Sequence, residues 1–162
     1  MTALDLNTAN KVEIVESIEQ MTLPAAEAIT AGMAVRLDTS AGTFTPANGS
    51  TAAEGRAYGI ATKTVAARQP VTAIRKGVMD GWDLSGLSYD ADVFLSDTDG
   101  RLDDTAGTLN IKAGRVIPVS GAAIGSSFDK VLAVDLTQSS QDSIDQGKYI
   151  AITTELLAAS VD

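Results

Sequence analysis

Two stretches of this chain repeat one another. "TAGMAVRLDTSAGTFT" (30–45) and "SYDADVFLSDTDGRLD" (88–103) match Val35 with Val93, Leu37 with Leu95, Gly42 with Gly100 and Phe44 with Leu102, each pair 58 residues apart. In both, an alternating apolar run meets a small polar turn with glycine and resumes at an apolar residue. That is the pattern of a strand, a tight turn and a second strand. The segments downstream of each copy also correspond: "AYGIATKTV" (57–65) with "KAGRVIPV" (112–119), and "PVTAIRKGV" (70–78) with "DKVLAVDL" (129–136). The offset drifts in these later strands, so the loops differ in length.

The repeat predicts a mainly β protein built from two related β units, 30–80 and 88–136, bridged by the Gly/Ser-punctuated "GWDLSGLSY" (81–89). At 162 residues the chain suits one domain, or two small lobes fused around one core, with enough surface to bury without staples. The expected architecture is a compact β-barrel or sandwich, tulip-like or jelly-roll-like, with extended N- and C-terminal arms. Residues 1–29 form an N-terminal arm and first strand, 30–136 the β body, and 137–162 a C-terminal extension.

The repeat also decides how to read "SDTDGRLDD" (96–104), where acids crowd around a glycine as in a calcium loop. A calcium-binding helix–loop–helix needs D-x-D-x-D-G and a glutamate six residues after the glycine. Here Leu95 stands in the first ligand position and Ala106 in the last. The first copy makes the corresponding turn as "LDTSAGTF", with one acid, so the geometry does not require the carboxylates. Asp bonds its own backbone and Gly accepts positive φ, which suits both to a turn. The segment is expected to be a turn.

The two ends lie outside the repeat. In "NKVEIVESIEQMTLPAAEAI", Ile14, Ile18 and Met21 fall at helical spacing, and Asn10 with Glu13 fits a capping box. Against that, Val12 and Ile14 alternate with charges, and Pro24 biases "MTLP" to extended geometry. The extended reading is preferred. The other end passes from a polar linker, "TQSSQDSIDQGKY", to the apolar "IAITTELLAAS". Tyr149, Ile150, Ile152, Leu156 and Leu157 call for a surface to pack on, in this molecule or a neighbour. The 26 residues from 137 to 162 span roughly 85 Å when fully extended, enough to cross to another subunit.

Composition removes most chemistry. The chain has no cysteine and no histidine, which excludes disulfides, thiolate sites, and Ser-His-Asp or Cys-His catalysis. Neither a G-x-x-x-x-G-K-[ST] phosphate loop nor a G-x-G-x-x-G fingerprint is present. The acids concentrate at turns and strand edges as solvated charge. No enzyme activity, cofactor or metal site is expected. A net charge of −9 opposes binding to nucleic acid, which depends on neutralising phosphates. No apolar run approaches the roughly 20 residues of a membrane span, and "MTALDLNTANK" lacks signal-peptide blocks. A soluble protein made in a cytoplasm is expected.

Two smaller features remain. "RKG" (75–77) is a short basic spot, placed at a strand end and read as a surface ion pair, including to a partner's acid. Trp82, the single tryptophan, suits either a core plug at the bridge or an anchor at an interface.

The succession "PAAEAITAGMAVRLD", "AYGIATKTVAARQPVTAIRKGV" and "YDADVFLSDTDGRL…AGRVIP" resembles the capsid decoration, or cement, proteins of tailed bacteriophages. The resemblance covers residues 20–136 and rests on the order of these segments, none of which is catalytic. It implies a β-rich protein added to the exterior of an assembled capsid, a homotrimer bridging capsomers against the pressure of packaged DNA. The implied partner is the major capsid protein and the implied location the virion surface, after synthesis in the host cytoplasm. Partner contacts are expected from Val12, Ile14, Ile18, Met21, Trp82, Tyr149, Ile152 and Leu156. The tail after Leu136 is longer than the family pattern. The competing reading is another virion-surface β module, such as a carbohydrate-binding one, for which three Tyr, one Trp and three Phe are a thin supply.

Overall fold

The computed structural model describes residues 3–119 and 130–137. Within them lie nine strands: β1 (Glu13–Pro24), β2 (Ala34–Leu37), β3 (Phe44–Pro46), β4 (Ala57–Ala61), β5 (Pro70–Asp80), β6 (Asp92–Leu95), β7 (Leu102–Asp103), β8 (Lys112–Pro118) and β9 (Lys130–Asp135). The fold is mainly β, as the repeat predicts, and the sheet curls into a half-barrel. No helix among the described residues is long and apolar enough to cross a membrane.

The strands form one antiparallel sheet in the order β3-β2-β4-β5-β9-β8-β6-β7, with β1 added to β5. Read outward from its middle, each half has the same parts. A central strand (β5 or β9) pairs a return strand (β4 or β8), which pairs the first strand of a hairpin (β2–β3 or β6–β7). The equivalence extends to register. Leu37 faces Phe44 in one hairpin and Leu95 faces Leu102 in the other. The β2–β4 ladder shifts between Val35 and Arg36, and the β6–β8 ladder between Val93 and Phe94, at equivalent positions of the repeat. Gly42 and Gly100 both hold positive φ, 67° and 71°, the left-handed turn conformation that favours glycine.

One edge of β5 is taken by β1 for its whole length. Ile74 pairs Gln20 on one side and Ile60 of β4 on the other, while Lys76 pairs Glu19 and Asp135 of β9. β4 and β9 thus share the second edge of β5 end to end, which lets the two halves fold towards each other. They also meet through their hairpins. The Ala34 N–H donates to the Gly100 carbonyl (3.0 Å), the Gly100 N–H to Ala47 (2.7 Å), and the Gly49 N–H to Ser96 (2.7 Å).

The main core cluster joins both halves, with Ile60, Ile74 and Met79 packed among Val93, Leu95, Ile111, Val116 and Leu132. A second cluster, around Ile29, Val35, Phe44 and Val71, takes Met21 and Leu23 against its side. The N-terminal segment is extended and lies on the body. Leu4 is buried and donates its N–H to Leu102 (2.9 Å), and Leu6 bridges Trp82. Residues 138–162, including Tyr149, Ile152 and Leu156, are outside the described residues.

Candidate interaction surface

β1 is paired along one edge and, among the described residues, has no strand on the other. An unpaired edge leaves a row of backbone donors and acceptors open to another chain. Its register against β5 skips Val15 and skips Ile18, so each is the extra residue of a β-bulge. Bulges re-aim side chains. These two are 57% and 61% exposed, with Ile14 beside them at 46%. The bulges depend on a close backbone approach: a Cβ at Gly77 of β5 would lie 2.3 Å from the Glu16 carbonyl oxygen. Only glycine fits there without displacing β1.

Ile18 also stands at one wall of an open groove of about 420 Å³ across β5, β9 and β8. Small residues, Gly77, Gly114 and Ala133, line its floor region, and charges ring it. Three of those charges are in ion pairs: Lys112 with Asp92 at 2.9 Å, and Arg115 with Asp90, outside the groove lining, at 3.2 Å. The result is an apolar ridge beside a shallow trough, a shape suited to receiving an extended chain rather than enclosing a small ligand.

The structure distributes the sequence-predicted contact residues unevenly. Ile14 and Ile18 are on the exposed ridge. Val12 and Met21 are half-buried against the core clusters. Trp82 is 3% exposed and belongs to the main core, with its carbonyl accepting from Asn7 Nδ2 at 3.1 Å. It occupies the core-plug position, because the bridge between the halves turns inward there. Sequence reasoning missed Val15, which is exposed because the strand stands clear of the core on both faces from Glu13 to Gln20. The "RKG" stretch sits in mid-β5 rather than at a strand end, and Arg75 pairs Glu19 of β1 at 3.5 Å.

The acid-rich stretch 96–104 is a hairpin turn whose carboxylates face protein donors. Asp97 accepts from the Thr108 N–H (2.8 Å) and hydroxyl (2.7 Å), and Asp99 from Asn48 Nδ2 (2.6 Å). The Thr108 N–H, then its hydroxyl, hold the Asp97 carboxyl below its usual range. Asp38 and Asp83 are lowered in the same way, chiefly by the hydroxyls of Ser40 and Ser85. No cluster of three or more potential metal-ligating acids occurs among the described residues. Comparison with family models, curated proteins and solved structures finds no match to this chain.

Proposed function

We propose that this protein is a capsid decoration protein of a tailed bacteriophage, which attaches to the shell exterior through β1 and bridges capsomers as a homotrimer. The observation that carries the reading is the β1 ridge: a 12-residue edge strand with two bulges and with Ile14, Val15 and Ile18 exposed. Its bulges and glutamates guard the edge against indiscriminate pairing, while the unpaired backbone and the exposed apolar side chains remain able to join a matching chain. Glu13 and Glu19 are held in pairs with Lys11 and Arg75, and Glu16 favours a basic residue on the stretch of the major capsid protein that adds as a strand. Many copies on a symmetric shell convert modest contacts into firm attachment through effective concentration. The carbohydrate-binding alternative has less support, because Trp82 is buried and, among the described residues, Tyr89 is the one aromatic among the exposed large hydrophobic side chains, whereas stacking on sugars calls for several.

The test mixes the full chain with undecorated empty shells of the cognate phage, with co-sedimentation as readout and light scattering to give its mass in solution. The wild-type chain is expected to pellet with the shells. Ile14→Glu/Ile18→Glu, which alters only exposed side chains, is expected to keep the strand signature in circular dichroism and lose shell affinity at least tenfold. Wild-type protein that stays in the supernatant at every concentration overturns the reading.

A further inference from the structure

Asn48 is followed by Gly49 where the two hairpins meet. In an Asn-Gly pair the glycine nitrogen, unhindered by a neighbouring Cβ, can swing onto the asparagine side-chain carbonyl carbon and expel its amide. The fold fixes both members of the pair. A Cβ at Gly49 would lie 2.9 Å from the Leu95 carbonyl oxygen, so a larger residue displaces backbone. Asn48 is buried and engages both ends of its amide. Its Nδ2 donates to Asp99 at 2.6 Å, and its Oδ1 accepts from the Ser50 N–H at 3.0 Å and hydroxyl at 2.6 Å. A chain that needs both residues can only protect the link between them.

The protection is built from both hairpins. Attack requires the Gly49 N–H to lose its proton and turn towards Asn48 Cγ. That N–H donates to the Ser96 carbonyl (2.7 Å), the Gly49 carbonyl accepts from Leu109 (2.8 Å), and the Asn48 N–H donates to Glu54 (3.2 Å). The peptide plane is pinned on both sides. Acids also gather around it: Asp99 on Nδ2, Glu54 Oε2 at 3.1 Å from the Ser50 hydroxyl oxygen, and Asp97 Oδ1 at 3.6 Å from a Cβ placed at Gly49. Negative charge this near opposes deprotonation of the nitrogen.

We propose that Asn48 is a latent deamidation site, closed while the hairpins stay docked, and that its conversion to a carboxylate unlatches them. When the contact opens, the deprotonated Gly49 nitrogen bonds to Asn48 Cγ. The Cγ–Nδ2 bond breaks, and ammonia leaves with a proton taken from water. Water then opens the cyclic imide to aspartate or isoaspartate. The net change is amide plus water to carboxylate plus ammonium, with no other reactant. The product does not fit the site it came from. A donor to Asp99 has become an acceptor, so two carboxylates face each other at hydrogen-bond distance in a buried place. The damage falls on the contact that ties the two units, beside the Gly49–Ser96 and Gly100–Ala47 bonds. The chemistry is the same whatever the ridge on β1 binds.

The experiment incubates the full chain at mildly alkaline pH, folded and in denaturing urea, and follows the peptide holding Asn48 by mass spectrometry. A gain of about 1 Da marks the reaction. The unfolded chain is expected to react at least about tenfold faster than the folded one. Asn48→Asp reproduces the product, and in it the Gly49 and Gly100 amides are expected to exchange with solvent about tenfold faster than in wild type. Adding Asp99→Asn sets a donor against the new acceptor and restores slow exchange, a rescue that general intolerance of change at position 48 would not allow. Where Asn48→Asp does not fold, recovery of the fold in the double variant is the supporting result. Equal reaction in folded and unfolded chains overturns the proposal. So does undiminished protection in Asn48→Asp, or a double variant that recovers neither slow exchange nor the fold.

Discussion

Asp97 illustrates how this protein uses its acids. It reaches across a loop to take both donors of Thr108, while Asp99 takes Asn48, a polar residue only 5% exposed, from the other hairpin. The contacts have a pH signature. The folded Asp97 carboxyl titrates below its ordinary value of 3.8, as do Asp38 and Asp83, so between the two values the unfolded chain binds more protons. Their stabilisation is therefore complete above about pH 4 and is lost as pH falls through the lowered values. Carbon-detected NMR titration should place all three carboxyls below 3.8. In Asp97→Asn, the fall in stability on acidification should be shallower than in wild type. An Asp97 that titrates at or above the ordinary value removes the Thr108 contact as its cause.

β1 is the element on which the interaction surface depends, and a glycine in its neighbour decides whether it forms. Gly77→Ala puts a methyl group 2.3 Å from the Glu16 carbonyl oxygen, a collision with backbone that no rotamer relieves. The expected loss is about 2 kcal/mol in urea denaturation, with faster hydrogen exchange confined to β1. Gly42→Ala meets no atom within 4 Å and carries only its positive φ, so about 1 kcal/mol is expected and β1 exchange should not change. Equal exchange profiles in the two variants would remove the close approach as the reason for Gly77. The same bulges explain what was legible in the sequence. The hairpins could be read because the apolar alternation and turn glycine of each are intact and recur at one spacing. β1 looked half-helical because two extra residues break its two-residue alternation, leaving Ile14, Ile18 and Met21 at spacings of four and three. The groove beside Ile18 was illegible for another reason: its lining comes from β5, β8 and β9, which only the sheet pairing brings together.

At the scale of the whole molecule, duplication has not produced two independent lobes. The first unit keeps a smaller cluster of its own around Ile29, Val35, Phe44 and Val71, but the larger core is shared. Ile60 and Ile74 of the first share one cluster with Val93, Leu95, Ile111 and Val116 of the second. The hairpins have also diverged to suit this interlock. The Gly42 turn faces open space, whereas a Cβ at Gly100 would meet Met33 at 2.8 Å, because the second turn is tucked under the first unit. The bridge between the units is open to cleavage. Gly86 is exposed with nothing within 4 Å of a Cβ placed there, while Trp82 and Leu84 before it stay anchored in the core. A protease site introduced at Gly86 should therefore cut efficiently and leave the fold intact. The two fragments are expected to co-elute in native size exclusion, held by the β5–β9 ladder and the shared cluster, and to separate only in denaturant. Uncut protein should unfold in a single transition, since a cluster that draws on both units cannot lose one and keep the other. Fragments that part under native conditions, each retaining its strands, would mean that the two units are separate domains and that the ridge on β1 belongs to the first alone.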